Sequence, residues 1–134
     1  MEEKPKQHVY AFEKLEVYQL ALRFSVALKP VLAGFPDDER YSLTAQIRRS
    51  AYSVAANVAE GSGRASPADR AYFMNIAFCS ALETINHLNI AKELKYISAE
   101  VYKQHRMEME EITNKLNALY KYQIKQGKNL KQTI

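Results

Sequence analysis

The stretch QIRRSAYSVAANVAEGSGRAS, residues 46–66, decides the fold. Alanines and serines recur through it, among arginines, a tyrosine and an asparagine, and it runs out into Gly61-Ser62-Gly63-Arg64. At 100° per residue, Leu43, Ile47, Ser50, Ala51, Val54, Asn57, Val58 and Gly61 share one helix face. Small side chains there let a second helix approach closely. Ala45, Tyr52, Ala55, Ala56 and Ala59 lie on the opposite side, interrupted only by Arg48. A helix that merely faced water would carry more Lys, Glu and Gln on that side.

Working outward, the segment belongs to a helix expected from Glu39 to Glu60, with Gly61 as its left-handed stop. A first helix is expected from Phe12 to Ala33, with Pro30 bending its last turn. Ser66-Pro67 starts a third, expected to run to Leu94, with the serine as cap and Asp69 at the positive helix end. Lys95–Ser98 is a short turn, and Ser98 caps a fourth helix reaching about Gln126. Connections this short place neighbouring helices antiparallel. The expected fold is all-α, an up-down-up-down four-helix bundle. One domain is expected over residues 1–134, ordered from about 12 to 126 with flexible termini.

The 134 residues suffice for a core without staples. The single cysteine, Cys79, has no internal partner and points to a reducing compartment; it reads as a small core residue. No apolar run approaches the roughly 20 residues of a membrane span, and the N-terminus is polar, so a cytoplasmic protein is expected.

The first helix resembles the second in having two non-polar sides. Val17, Leu20, Phe24, Leu28 and Val31 form one face; Leu15, Leu22 and Val26 lie elsewhere, near Tyr18. A monomeric bundle buries one face per helix, so a second burial event, self-association, is expected. Between the faces of the second helix runs a polar strip of Gln46, Arg49, Ser53, Asn57 and Glu60, each within reach of the next. With Arg64 and Glu83, the members Arg49, Asn57 and Glu60 are expected to form a buried hydrogen-bonded network at one end of the bundle. Its role would be structural, fixing register.

Catalytic patterns are thin. A di-iron bundle needs Glu-x-x-His pairs, whereas Glu83 and His87 stand four apart with no second copy. His8, His87 and His105 lie on different segments and read as satisfied or exposed. Residues 60–66 are glycine-rich but lack the flanks of a phosphate loop or a nucleophile elbow. The helix start at Pro67, with Arg64 and Arg70 nearby, is a generic anion site. No catalytic residue, metal or cofactor is expected.

Three stretches carry a family resemblance: FEKLEVYQLA at 12–21, FPDDERYSLTAQIRRSAYSVAANVAEGSGR at 35–64, and YFMNIAFCSALETINHLNIAKEL at 72–94. Together, over roughly Phe12 to Ala118, they resemble the four-helix-bundle family encoded by intervening sequences in bacterial 23S ribosomal RNA genes. Gln46, Arg48, Arg49, Ser53, Asn57, Glu60, Gly61 and Arg64 match its pattern, as do Phe73, Ala77, Ser80 and Glu83. The resemblance implies a non-enzymatic bundle assembled as a ring, typically a pentamer. The family extends to accessory proteins of diversity-generating retroelements, so RNA or DNA and a reverse transcriptase are the partners it implies. It attaches no catalytic residues.

Charge bears on the same question. The formal charge is +4, and from Ile112 onward there are five lysines (115, 121, 125, 128 and 131) and no acid. The leading expectation is a homo-oligomeric scaffold binding RNA, other nucleic acid or a ribonucleoprotein through basic surfaces, with Arg48, Lys121, Lys125 and Lys128 as the nucleic-acid contacts. The alternative is a protein-interaction bundle without nucleic-acid contact; a small-molecule or metal-binding bundle comes third. Among the nine tyrosines, Tyr18, Tyr52, Tyr72 and Tyr96 are expected at core edges or interfaces rather than as a base-stacking platform.

Overall fold

The structure, a computed structural model, describes residues 5–133, and the side chains of 130–133 fall outside that description. Four helices make up the bundle: α1 (Glu16–Ala33), α2 (Leu43–Ser62), α3 (Pro67–Glu93) and α4 (Ala99–Thr133). Among the described residues there is no strand. Each helix packs on its neighbour in sequence, and α1 closes against α4. This is the expected four-helix bundle.

The core follows the predicted faces. Phe24 and Leu28 of α1, Ile47, Val54 and Val58 of α2, Leu88 of α3, and Met109, Ile112 and Leu116 of α4 are all fully buried. On the predicted inner face of α2 only Asn57 stays half-buried, because its amide turns back to the serine one turn earlier.

The helix ends correct several expectations. Residues Ala11–Lys14 form a separate 3-10 turn, and Leu15 adopts an extended conformation before α1 starts at Glu16. Glu13 stabilises that turn by accepting from the Tyr10 N–H at 3.0 Å. Pro30 lies inside α1, in its final turn. Glu39, expected to open α2, ends a short 3-10 turn instead (Asp37–Glu39), and its Oε2 accepts the Leu43 N–H at 3.2 Å. The side chain thus satisfies an orphan amide of the first turn, and α2 begins four residues later than expected.

Gly61 is not the left-handed stop. The helix continues through it to Ser62, and no described glycine has a positive φ. Gly61 serves a close approach. A Cβ built there would lie 2.6 Å from Phe73 Cβ and 2.7 Å from Met74 Cε. The absence of a side chain is what allows α2 and α3 to converge at this end.

The Ser66-Pro67 start is as expected, with Ser66 Oγ accepting the Asp69 N–H at 3.1 Å. At the other end of α3, Lys95 takes the left-handed conformation (φ 62°) that the sequence left unassigned. The Tyr96 N–H reaches Ala91 O and the Lys95 N–H reaches Lys92 O, both at 2.9 Å. These are the two bonds of a Schellman stop, made without glycine. Ser98 Oγ accepts the Val101 N–H at 3.1 Å, starting α4 as expected. That helix runs past Gln126 to Thr133. Residues 1–4 and 134, within the termini expected to be flexible, lie outside the described residues.

Candidate functional site

The polar strip of α2 meets a matching strip on α3. Ser50 and Thr84 hydroxyls lie 2.9 Å apart in the buried interior, and Ser53 and Ser80 hydroxyls also lie 2.9 Å apart. Asn57 Nδ2 donates to Ser53 O at 2.8 Å and to Ser53 Oγ at 2.9 Å. Ser50 and Ser53 therefore belong to a hydroxyl seam that lets two helices touch with their polar groups satisfied. Thr84 was missed as a member; its signal was a lone polar residue at a core position of α3.

The single network expected among Arg49, Asn57, Glu60, Arg64 and Glu83 is divided. Arg49 pairs with Glu83 across α2 and α3, and its Nε donates to Gln46 Oε1 at 3.2 Å. Glu60 pairs with Arg64 at 2.8 Å, with the guanidinium 4.3 Å from the Phe73 ring centroid. Asn57 joins neither carboxylate. Arg49 and Glu60 are separated by 11 residues of helix, roughly 16 Å. The arginines and Glu60 are exposed and Glu83 is half-buried, so the pairs differ from the buried network expected. Screened pairs of this kind contribute about 0–1 kcal/mol each.

His8 is exposed as expected, but the other two histidines depart from expectation. His105 is buried edge-on to Phe24 at 5.3 Å, with Nδ1 3.5 Å from Glu108 but no hydrogen bond. His87 has no hydrogen-bond partner on either ring nitrogen, and its Nε2 is 3.5 Å from Glu83. Cys79, read as a core residue, is exposed on α3. Arg70, placed near a generic anion site, is a fastener instead: it donates to the carbonyls of Arg64 (3.0 Å) and Ala65 (3.1 Å) and to Gln123 Oε1 (3.0 Å). Those bonds pin the α2–α3 link to α4. The Tyr96 phenol, whose ring is tilted 50° to that of Phe35, is held above its ordinary pKa by burial and then by the nearby Glu39 and Asp38.

The four basic candidates are not one patch. Arg48 is exposed near the start of α2, whereas Lys121, Lys125 and Lys128 are exposed on the last part of α4, beside the start of α3. The two groups occupy opposite ends of the bundle. None of the four makes an ion pair among the described residues. Lys115 differs, pairing with Glu16 at 3.2 Å. The side chain of Lys131 lies outside the described residues. Lys29 and Arg40 were missed: with Arg48 they line a cleft of about 270 Å³.

A larger depression, about 410 Å³, lies between α1 and α2 and is walled by Leu22, Val26, Tyr52, Ala55 and the alkyl part of Lys29. Leu22, Val26 and Tyr52 are 45%, 68% and 51% exposed. These are the residues of the predicted second faces. The Ser25 hydroxyl in its wall is buried without a partner. Three exposed apolar side chains on the outside of α3, Tyr72, Leu82 and Ile90, form a discontinuous strip interrupted by the exposed Asn75, Cys79 and Asn86, which was not predicted. Among the described residues, no three His, Cys, Asp or Glu side chains cluster as a metal site would need, and no helix is long and apolar enough to cross a membrane.

Comparison with known proteins accords with this geometry. Residues 13–118 match the family model described as 23S rRNA-intervening sequence protein. A solved structure from Bacteroides thetaiotaomicron, described as a protein with unknown function from the S23 ribosomal protein family, superposes with a TM-score of 0.73. It is 28% identical, and the match covers 78% of this chain and 95% of that one. No curated protein matches. With most of its length matched and its fold shared, the chain belongs to the 23S rRNA-intervening sequence protein family.

Proposed function

We propose that the protein is a non-enzymatic, self-associating helical scaffold, a pentameric ring, that binds nucleic acid through basic residues repeated around the assembly. The observation that carries this reading is the exposed apolar depression between α1 and α2. Leu22, Val26 and Tyr52 present in water a surface of the kind that subunit interfaces cover. Ring closure requires two different complementary faces on each subunit. The outer strip of α3 (Tyr72, Leu82, Ile90) supplies a second apolar face.

The charge argument follows from assembly. A chain of +4 is weakly basic, but five such chains carry +20 and repeat every lysine group around the ring. Binding by counterion release strengthens with each phosphate contact, with a salt slope of about −0.7 per contact on single strands. Arg48, Lys121, Lys125 and Lys128 are exposed and free of ion pairs among the described residues, which leaves them available to phosphate. Light scattering with and without an RNA oligomer tests both halves. An oligomer that shifts mass on adding RNA, less so at high salt, supports the reading. An oligomer inert to RNA at low salt favours the alternative, a protein-interaction bundle, to which the α3 strip would then belong.

A further inference from the structure

The geometry points to a phosphate-binding cleft formed by Lys29, Arg40, Thr44 and Arg48 where α1 hands over to α2. It deepens the nucleic-acid reading above by naming the phosphate contact. Thr44 and Arg48 stand four residues apart on α2 and line one wall, Arg40 comes from the turn that leads into that helix, and Lys29 comes from α1 across the gap. The cleft measures about 270 Å³, room for one or two phosphate groups. Among the described residues, none of the three cations is within ion-pair distance of an acid. Elsewhere on this surface Arg49, Arg64, Arg106 and Lys115 all have carboxylate partners. Three unpaired cations converging on one concavity are an arrangement that repels itself until an anion arrives.

Two further features favour an anion. Thr44 is buried, and its hydroxyl has no hydrogen-bond partner although it lies in the cleft wall. A donor left unmatched inside a cationic wall is completed by an acceptor oxygen. Thr44 also stands in the first turn of the 20-residue α2, near the positive end of its dipole, where Glu39 Oε2 holds the Leu43 N–H and Ser42 provides no side-chain cap. Asp37 is the one acid in the lining, and against the three cations it leaves the cleft with a net charge of +2. Arginine's fork can hold a phosphate through two parallel N–H···O bonds. Lys29 also borders the apolar depression between α1 and α2, so a ring using that depression would carry one cleft at each subunit boundary.

Two sources could bring the phosphate, a free phosphate ester or a nucleic-acid backbone, and one set of titrations separates them. Inorganic pyrophosphate and oligouridylate are titrated calorimetrically into the intact protein, into Arg40→Gln/Arg48→Gln, into Thr44→Val, and into Lys121→Gln/Lys125→Gln/Lys128→Gln. Pyrophosphate should bind the intact protein and the lysine triple variant alike. Arg40→Gln/Arg48→Gln should weaken it at least about tenfold, and Thr44→Val should weaken it without lowering Tm. Oligouridylate binding that is unaffected by Arg40→Gln/Arg48→Gln overturns the cleft while leaving nucleic-acid binding intact. Pyrophosphate binding lost in that variant, with no oligouridylate binding to the intact protein, upholds the cleft for free phosphate esters and removes the nucleic-acid reading. Failure of both ligands to bind the intact protein overturns both.

Discussion

Gly61 shows how a residue's meaning changes between string and structure. A glycine near the end of an amphipathic pattern reads as a stop, because most left-handed stops are glycine. What decides its role is a contact with Phe73 and Met74, twelve and thirteen residues on, which no local pattern displays. The consequence is testable. Gly→Ala inside a helix ordinarily stabilises by about 0.5–1 kcal/mol. Gly61→Ala should instead destabilise by about 1–3 kcal/mol, because the new methyl meets Phe73 Cβ at 2.6 Å and that atom is held by its own backbone. Urea denaturation midpoints read the sign directly. The ion pairs predict the opposite kind of result: Arg49→Ala should cost under about 1 kcal/mol, since the pair with Glu83 is partly solvated. A larger loss in a preparation shown to be oligomeric would place Arg49 in a subunit contact.

At the scale of elements, the helices and their inner faces were legible because the 3.6-residue period is strong in α1 and α2. The ends were less so, because caps were supplied by unexpected residues. Glu39 reaches forward to Leu43, and Lys95 fills the left-handed position that glycine usually takes. Lysine there carries a steric penalty of about 1–2 kcal/mol, partly offset in a glycine variant by the greater freedom of its unfolded chain. Lys95→Gly should therefore raise stability by about 0.5–1 kcal/mol in chemical denaturation, whereas the β-branched Lys95→Val should lower it. The outer strip of α3 escaped the sequence reading for a different reason. That helix is apolar on both sides, and its small inner residues (Ala71, Ala77, Ala81, Ala91) do not stand out from the larger outer ones (Tyr72, Leu82, Ile90) by hydropathy alone. The same ambiguity misplaced Cys79 in the core. The phosphate cleft was only partly legible: Arg48 was singled out, but Lys29 joins it across a turn whose shape depends on the Asp37–Glu39 segment.

For the whole molecule, the central claim is that the second apolar faces of α1 and α2 exist to be covered by another copy. Sequence periodicity raised the idea, and the structure leaves Leu22, Val26 and Tyr52 exposed around a shared depression. Val26 is the best place to interfere, being 68% exposed in the single chain, so that a polar replacement costs the isolated fold little. Val26→Glu should keep helical content and Tm near those of an isolated bundle while dissociating the assembly, because an unpaired carboxylate would be buried at each contact. Sedimentation equilibrium at micromolar concentration is the most direct measurement. The account predicts a mass near five times 15.4 kDa for the intact protein, collapsing to 15.4 kDa in Val26→Glu. An intact protein that sediments as a 15.4 kDa monomer would contradict it.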